Sequence, residues 1–275
     1  MPVVLALAAA AVYGAADFLG GLAGRRATTL SVVLWSQAAG LVLLVAVLPF
    51  FGGHAVAADI AWGALCGIAG GIAIASLYRG LATGTMGIVS PISAVLGASI
   101  PVVYGLVFRG EHPGAFALAG IVAALAAVVL VSYEPGGRRG VPEALVAGVG
   151  FGTYFIALAQ TRAAAGMVPL FAARFTTVIL LAAGGLAFGR VAQLRLARQA
   201  VPLVMLCGVF DVSANVLYVL AAHGGMLAIV AVLTSLYPAA TVALAAGVLH
   251  ERLNRVQWIG VALALAGAAA ISSGS

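Results

Sequence analysis

The sequence predicts an all-α integral membrane protein of ten transmembrane helices, arranged as two inverted five-helix repeats around a central cavity. Two observations lead there: an apolar composition that no water-facing surface accommodates, and a register of matched residues 140 positions apart. Of the 275 residues, 64% are hydrophobic and only 7% charged, with a mean hydropathy of +1.20. A soluble domain carries roughly 25% charged residues to solvate its surface. The 13 basic residues exceed the 7 acidic ones, but all are arginine and nearly all lie between apolar stretches. That is the pattern of topology-setting loop charges, not of a phosphate-binding face, so no nucleic acid partner is expected.

A helix needs about 20 apolar residues to cross the hydrocarbon core. Cutting the chain at charges and Gly/Pro clusters gives ten segments of that size, near 3–20, 30–50, 59–78, 84–107, 114–132, 142–160, 167–189, 200–220, 226–249 and 255–272. Residues 1–19 lack the basic region and cleavage site of a secretory signal, so they read as the first membrane helix. Cys66 and Cys207 fall inside apolar segments with no CxxC partner and no nearby His, the setting of buried structural thiols. No metal and no cofactor is expected.

At the 140 offset, Leu77, Tyr78, Ala82, Gly84, Met86 and Leu96 lie over Leu217, Tyr218, Ala222, Gly224, Met226 and Leu236. The register continues: Glu111 meets Glu251, and Gly120 meets Gly260. Residues 1–134 and 141–275 are therefore read as two repeats of five helices. Because five is odd, two such repeats insert upside down relative to each other, a design shared by many secondary transporters. Arg25, Arg26, Arg79, Arg138, Arg139, Arg190, Arg195, Arg198, Arg252 and Arg255 fall on one side, and only Arg109 and Arg162 on the other. The positive-inside rule makes the Arg-rich side cytoplasmic and turns both termini outward.

The stretches Ser235-Leu-Tyr-Pro238, His250-Glu251-Arg252-Leu253 and Gln257-Trp258-Ile259-Gly260 resemble the second repeat of an EamA-type member of the drug/metabolite transporter superfamily. Ser90-Pro91, Glu111 and Gly120 echo it in the first half, and the opening run from Tyr13-Gly14 to Asp17-Phe18-Leu19-Gly20-Gly21 resembles that group's first helix. The resemblance spans essentially the whole chain and is more specific for fold than for substrate. It implies a ten-helix carrier of the bacterial inner membrane, commonly an exporter of metabolites, amino acids or drugs, with a cavity between the repeats. Some ten-helix relatives are drawn with cytoplasmic termini, whereas the charges here place both termini outside.

Three ionisable residues are stranded inside segments: Asp17, Arg174 and Asp211. Each costs at least about 2.5–3.5 kcal/mol at membrane depth and so calls for a cavity or a partner. Asp211, Asn215 and Tyr218 share one helical face, a polar stripe whose counterparts at the offset are Gly71, Ala75 and Tyr78. Arg174 is read either as pairing with Asp211 or as holding an anionic group of the substrate. Tyr13 and Asp17 share a face, and Asp17, about one turn from the cytoplasmic end, is either a hydrated interfacial carboxylate or a proton site that couples export to proton entry. Trp35, Tyr104, Tyr154 and Tyr237 are further candidates, with Tyr237 favoured because the next residue, Pro238, frees a helical carbonyl. Ser90 before Pro91 has a comparable setting.

The substrate-binding set is thus Tyr13, Asp17, Trp35, Ser90, Tyr154, Arg174, Asp211, Asn215, Tyr218 and Tyr237. Glu111 and Glu251 read as loop residues, and His223 as a solvated link. No Walker A motif, HExxH, GxSxG or filter-like run occurs, so a secondary transporter is the leading reading, with a passive channel or membrane assembly factor as the alternative and an intramembrane enzyme behind both, and no catalytic residue is expected. The expected partners are a small-molecule substrate, the lipid bilayer and, as an option, a second copy of the chain.

Overall fold

In the computed structural model, residues 1–51, 53–83, 86–131, 140–248 and 254–274 are described, the side chains at 51, 78, 80–83, 86–91, 131, 242, 245 and 272–274 excepted. The first half holds α1 (Pro2–Gly24), α2 (Thr29–Phe51), α3 (Ala57–Thr83), α4 (Met86–Phe108) and α5 (Ala115–Val131). The second holds α6 (Val141–Ala159), α7 (Val168–Ala187), α8 (Val201–Gly224), α9 (Leu227–Thr234), α10 (Tyr237–Val248) and α11 (Arg255–Gly274). No strand occurs among the described residues. Among the described residues, seven helical stretches are long and apolar enough to cross a membrane, and shorter apolar helices cover Ile92–Phe108, Ala115–Leu130 and Arg255–Ile271.

Local chemistry sets the helix ends. Proline occupies the first turn of α1, α6, α7 and α8, where its missing N–H is no loss. After α7 the chain turns at Gly189, whose φ of 65° is left-handed. The Arg190 N–H then bonds the Gly185 carbonyl and the Gly189 N–H that of Leu186, a Schellman closure. Before α11, the Gln257 N–H bonds Asn254 Oδ1 at 2.9 Å and the Asn254 N–H bonds Gln257 Oε1 at 3.0 Å, a reciprocal capping box. Pro113 lies two residues before α5 rather than in its first turn.

Packing follows a reciprocal scheme across the halves. Helix α1 lies on α8, α9 and α10, while its counterpart α6 lies on α3 and α4. Helix α2 packs on α8 and α3 on α7, and the equivalent pairs α2/α7, α4/α9 and α5/α11 meet each other. Exchanging the two halves leaves this pattern unchanged, as a two-fold relation requires. Glycines allow the closest approaches, since a Cβ on Gly14 would lie 2.5 Å from Ala240 Cβ and one on Gly67 would lie 2.4 Å from the Ala173 carbonyl oxygen. Not every glycine serves such a contact: a Cβ on Gly184 would have no neighbour within 4 Å.

The span expected at 226–249 is broken. A turn at Ser235 and Leu236 separates α9 from α10, because Pro238 carries no N–H for the Thr234 carbonyl and its ring crowds that turn. The Ser235 hydroxyl donates back to the Val232 carbonyl at 2.7 Å. Every residue from Leu227 to Ser235 is buried, whereas most described side chains of α10 are partly or fully exposed.

The two ends of the bundle carry different charges. At one end, the Thr28 hydroxyl donates to the Gln193 carbonyl at 2.6 Å, and the Trp35 indole N–H donates to Leu194 at 2.8 Å. These bonds draw the loop of Arg25 and Arg26 toward that of Arg190, Arg195 and Arg198. At the other end both arginines are matched by carboxylates: Arg162 Nη2 lies 2.7 Å from Asp59 Oδ2, and Arg109 Nε lies 3.9 Å from Glu111 Oε1. The Asp59 carboxylate, hydrogen-bonded to Arg162, raises that guanidinium's pKa above its ordinary value. Gly14→Val should lower stability by about 1–3 kcal/mol through overpacking against α10, while Gly184→Ala should not. Thermal unfolding of the detergent-solubilised variants checks both.

Candidate functional site, a polar cluster at membrane depth

The cluster grows from α8. Its Asp211 and Asn215 are one turn apart and face α1, α2, α6 and α7, helices contributed by both halves. Arg174 of α7 places Nη1 2.6 Å from Asp211 Oδ2. Gln37 of α2 closes the triangle: its Oε1 accepts from Arg174 Nη1, and its Nε2 lies 3.4 Å from Asp211 Oδ2. Arg174 and Gln37 are each 6% exposed, so the guanidinium charge is compensated inside the protein rather than by water.

Asn215, 2% exposed, joins three helices. Its Oδ1 accepts from the Tyr13 hydroxyl of α1 at 2.6 Å and from the Tyr154 hydroxyl of α6, and its Nδ2 donates to the Asp211 carbonyl at 2.7 Å. Aromatic rings surround this junction. Tyr13 meets Phe155 and Tyr237 edge-on at centroid distances of 6.5 and 6.4 Å, and Phe155 lies 4.7 Å from Tyr218. The fully buried Tyr218 donates its hydroxyl to the Phe155 carbonyl at 3.2 Å.

Asp17 differs from the rest. Helix α1 continues to Gly24, so Asp17 stands about two turns from the helix end, not one. Its neighbour Ala16 is buried, with a carbonyl that accepts from the Cys207 thiol at 3.2 Å, yet Asp17 itself is exposed. Among the described residues its carboxylate makes no hydrogen bond or ion pair, although it interacts electrostatically with Asp211.

The structure therefore brings together Tyr13, Tyr154, Arg174, Asp211, Asn215, Tyr218 and Tyr237, with Asp17 nearby. Trp35 is tied instead to the loop after α7. Tyr104 accepts from Gln160 and stacks on Phe108 at 5.3 Å. The side chain of Ser90, and Glu251 altogether, lie outside the described residues. Gln37 and Phe155 were not anticipated; a carboxamide inside the apolar 30–50 segment was the available signal for the first. Two expectations are corrected. His223 ends α8 with Nε2 against the Thr161 carbonyl rather than lying in a solvated link. Glu111 is no plain loop residue, because its carboxylate accepts the N–H groups of Leu227 and Ala228 at 2.7 and 2.9 Å.

Long apolar helices enclosing a compensated ion pair define a multi-pass membrane protein. Residues 1–133 and 138–273 match the model of the EamA-like transporter family, and the chain belongs to that family, whose members are membrane transporters of the drug/metabolite type. A solved crystal structure, described simply as that of a protein, superposes with a TM-score of 0.77 at 16% identity, covering 98% of this chain and 95% of that one. That likeness extends the fold comparison to nearly the full length of both chains. No curated protein matches the chain.

Arg174→Met alone strands the Asp211 carboxylate and should cost about 3–5 kcal/mol. Adding Asp211→Leu should restore most of that stability, as a double-mutant cycle on thermal unfolding would read.

Proposed function

We propose that the chain is a secondary transporter that exports small molecules (metabolites, amino acids or drugs) by alternating access, coupled to proton entry. Its ten spans, α9 and α10 together forming the ninth, are set as inverted repeats over 1–134 and 141–275. The observation that carries this reading is the polar cluster, to which both halves contribute side chains across a reciprocal packing scheme. An inverted pair has two equivalent ways to pack and can open the same site to either side. Substrate sits against the partly exposed Tyr13, Tyr154, Tyr237 and Asp211, which the buried Asn215, Tyr218 and Arg174 hold from behind.

The burial of α9 on every side and the exposure of Asp17 and α10 support a central cavity closed at the Arg-poor end and open toward the Arg-rich end. By the positive-inside rule the open end is cytoplasmic, as loading for export requires, and both termini lie outside a bacterial inner membrane. Because Asp211 and Gln37 already satisfy Arg174, weakly polar substrates fit better than anions. Asp17 is then the uncompensated charge of the site, and a proton is the smallest ligand that neutralises it.

Inverted vesicles given an acid-interior gradient should take up a lipophilic fluorescent dye or a labelled amino acid from a mixed panel, with saturation and counterflow. Asp17→Asn should insert normally and lose gradient-driven uptake at least roughly tenfold while retaining counterflow, as expected for loss of an ionisable coupling group. Undiminished uptake after collapse of the gradient would remove the proton from the scheme. A periplasm-active reporter fused after Ser275 should be active, and a cytoplasm-active one silent.

A further inference from the structure

At the Arg-poor end the halves are joined by Asp59 with Arg162, and by Glu111 with the first turn of α9, the second contact tying together two packed helices. Helix α4 ends at Phe108, and Gly110, with a left-handed φ of 61°, turns the chain back so that the Glu111 N–H bonds the Gly105 carbonyl at 3.0 Å. This reversal aims the Glu111 side chain, only 9% exposed, at the first turn of α9. Oε1 accepts the Leu227 N–H at 2.7 Å and Oε2 the Ala228 N–H at 2.9 Å. A carboxylate is the best match for a helix N-terminus, where free N–H groups and the dipole both favour negative charge. Gly105 makes room for it: a Cβ there would fall 2.5 Å from Oε2 and 3.2 Å from the Ala228 nitrogen.

We infer that Glu111 is a gate residue, a latch between the repeats that holds the Arg-poor end closed. The inference rests on the transporter reading above and goes beyond it by assigning the closing contact. Opening that end requires α9 to separate from α4, and these two bonds are broken in doing so. In sequence, the repeat-equivalent positions carry Glu251 and Ala245.

The test uses the full chain in vesicles, with Cys66 and Cys207 replaced by alanine. Two single cysteines report opposite ends: Val230→Cys in buried α9, and Gly21→Cys, which shares the face of Asp17 and has nothing within 4 Å of its Cβ position. A membrane-impermeant maleimide is applied from each side. Glu111→Gln replaces an acceptor oxygen with a donor amide. It should raise Val230→Cys labelling from the Arg-poor side roughly tenfold, as loss of one charge-assisted hydrogen bond predicts, and lower Gly21→Cys labelling from the Arg-rich side. Gly105→Ala, which leaves the carboxylate in place but removes its seat, should do the same and covers the case in which Glu111→Gln fails to fold. Unchanged labelling at Val230→Cys would overturn the latch, and so would increased labelling there without the reciprocal fall at Gly21→Cys, which marks local fraying. A chain that shows these labelling shifts but no flux would instead refute the transporter reading, so the two failures are distinguishable.

Discussion

Inside a bilayer no water is available to complete a hydrogen bond, so a polar group at depth finds its partner within the protein or faces a cavity. That constraint organises this molecule. Its backbone is helical because helices satisfy their own N–H and C=O groups. The few polar side chains at depth are gathered where helices from both halves converge, so that Asn215 alone serves Tyr13, Tyr154 and the Asp211 carbonyl. Satisfying them therefore also joins the repeats. Small residues do the remaining work, letting α1 approach α10 at Gly14 and α3 approach α7 at Gly67.

The coarse fold was legible because composition and repeat register are properties of the whole chain that survive local ambiguity. Apolar length marked the helical stretches, and the paired Glu, Gly and Leu-Tyr positions marked two halves of one family. What could not be read was geometry set by contacts between distant segments. The α9/α10 break depended on whether Pro238 would kink or interrupt its helix, which apolar length does not encode. Glu111 looked like a loop residue because its partners lie more than a hundred positions away. The ion pair of Arg174 with Asp211 was foreseeable, since two stranded opposite charges seek each other, but Gln37, uncharged and in a different half, gave no such signal.

The repeats have also divided their labour. At the 140 offset, Gly63, Gly67, Gly70 and Gly71 of α3 correspond to Leu203, Cys207, Phe210 and Asp211 of α8. The glycine face of α3 is close-packed: a Cβ on Gly63 would meet the Pro169 carbonyl at 2.4 Å, and one on Gly70 would meet the Tyr154 ring at 3.1 Å. The same face of α8 carries the ion pair and, through Cys207, a bond to the carbonyl beside Asp17. One copy of the repeated helix is a packing surface and the other a polar one. A perfectly symmetric pair would place a carboxylate on both helices and oblige the protein to compensate two charges at depth. Retaining glycine in α3 avoids the second charge and lets α6 settle close enough for Tyr154 to reach Asn215, so the smoothness of one repeat positions the chemistry of the other.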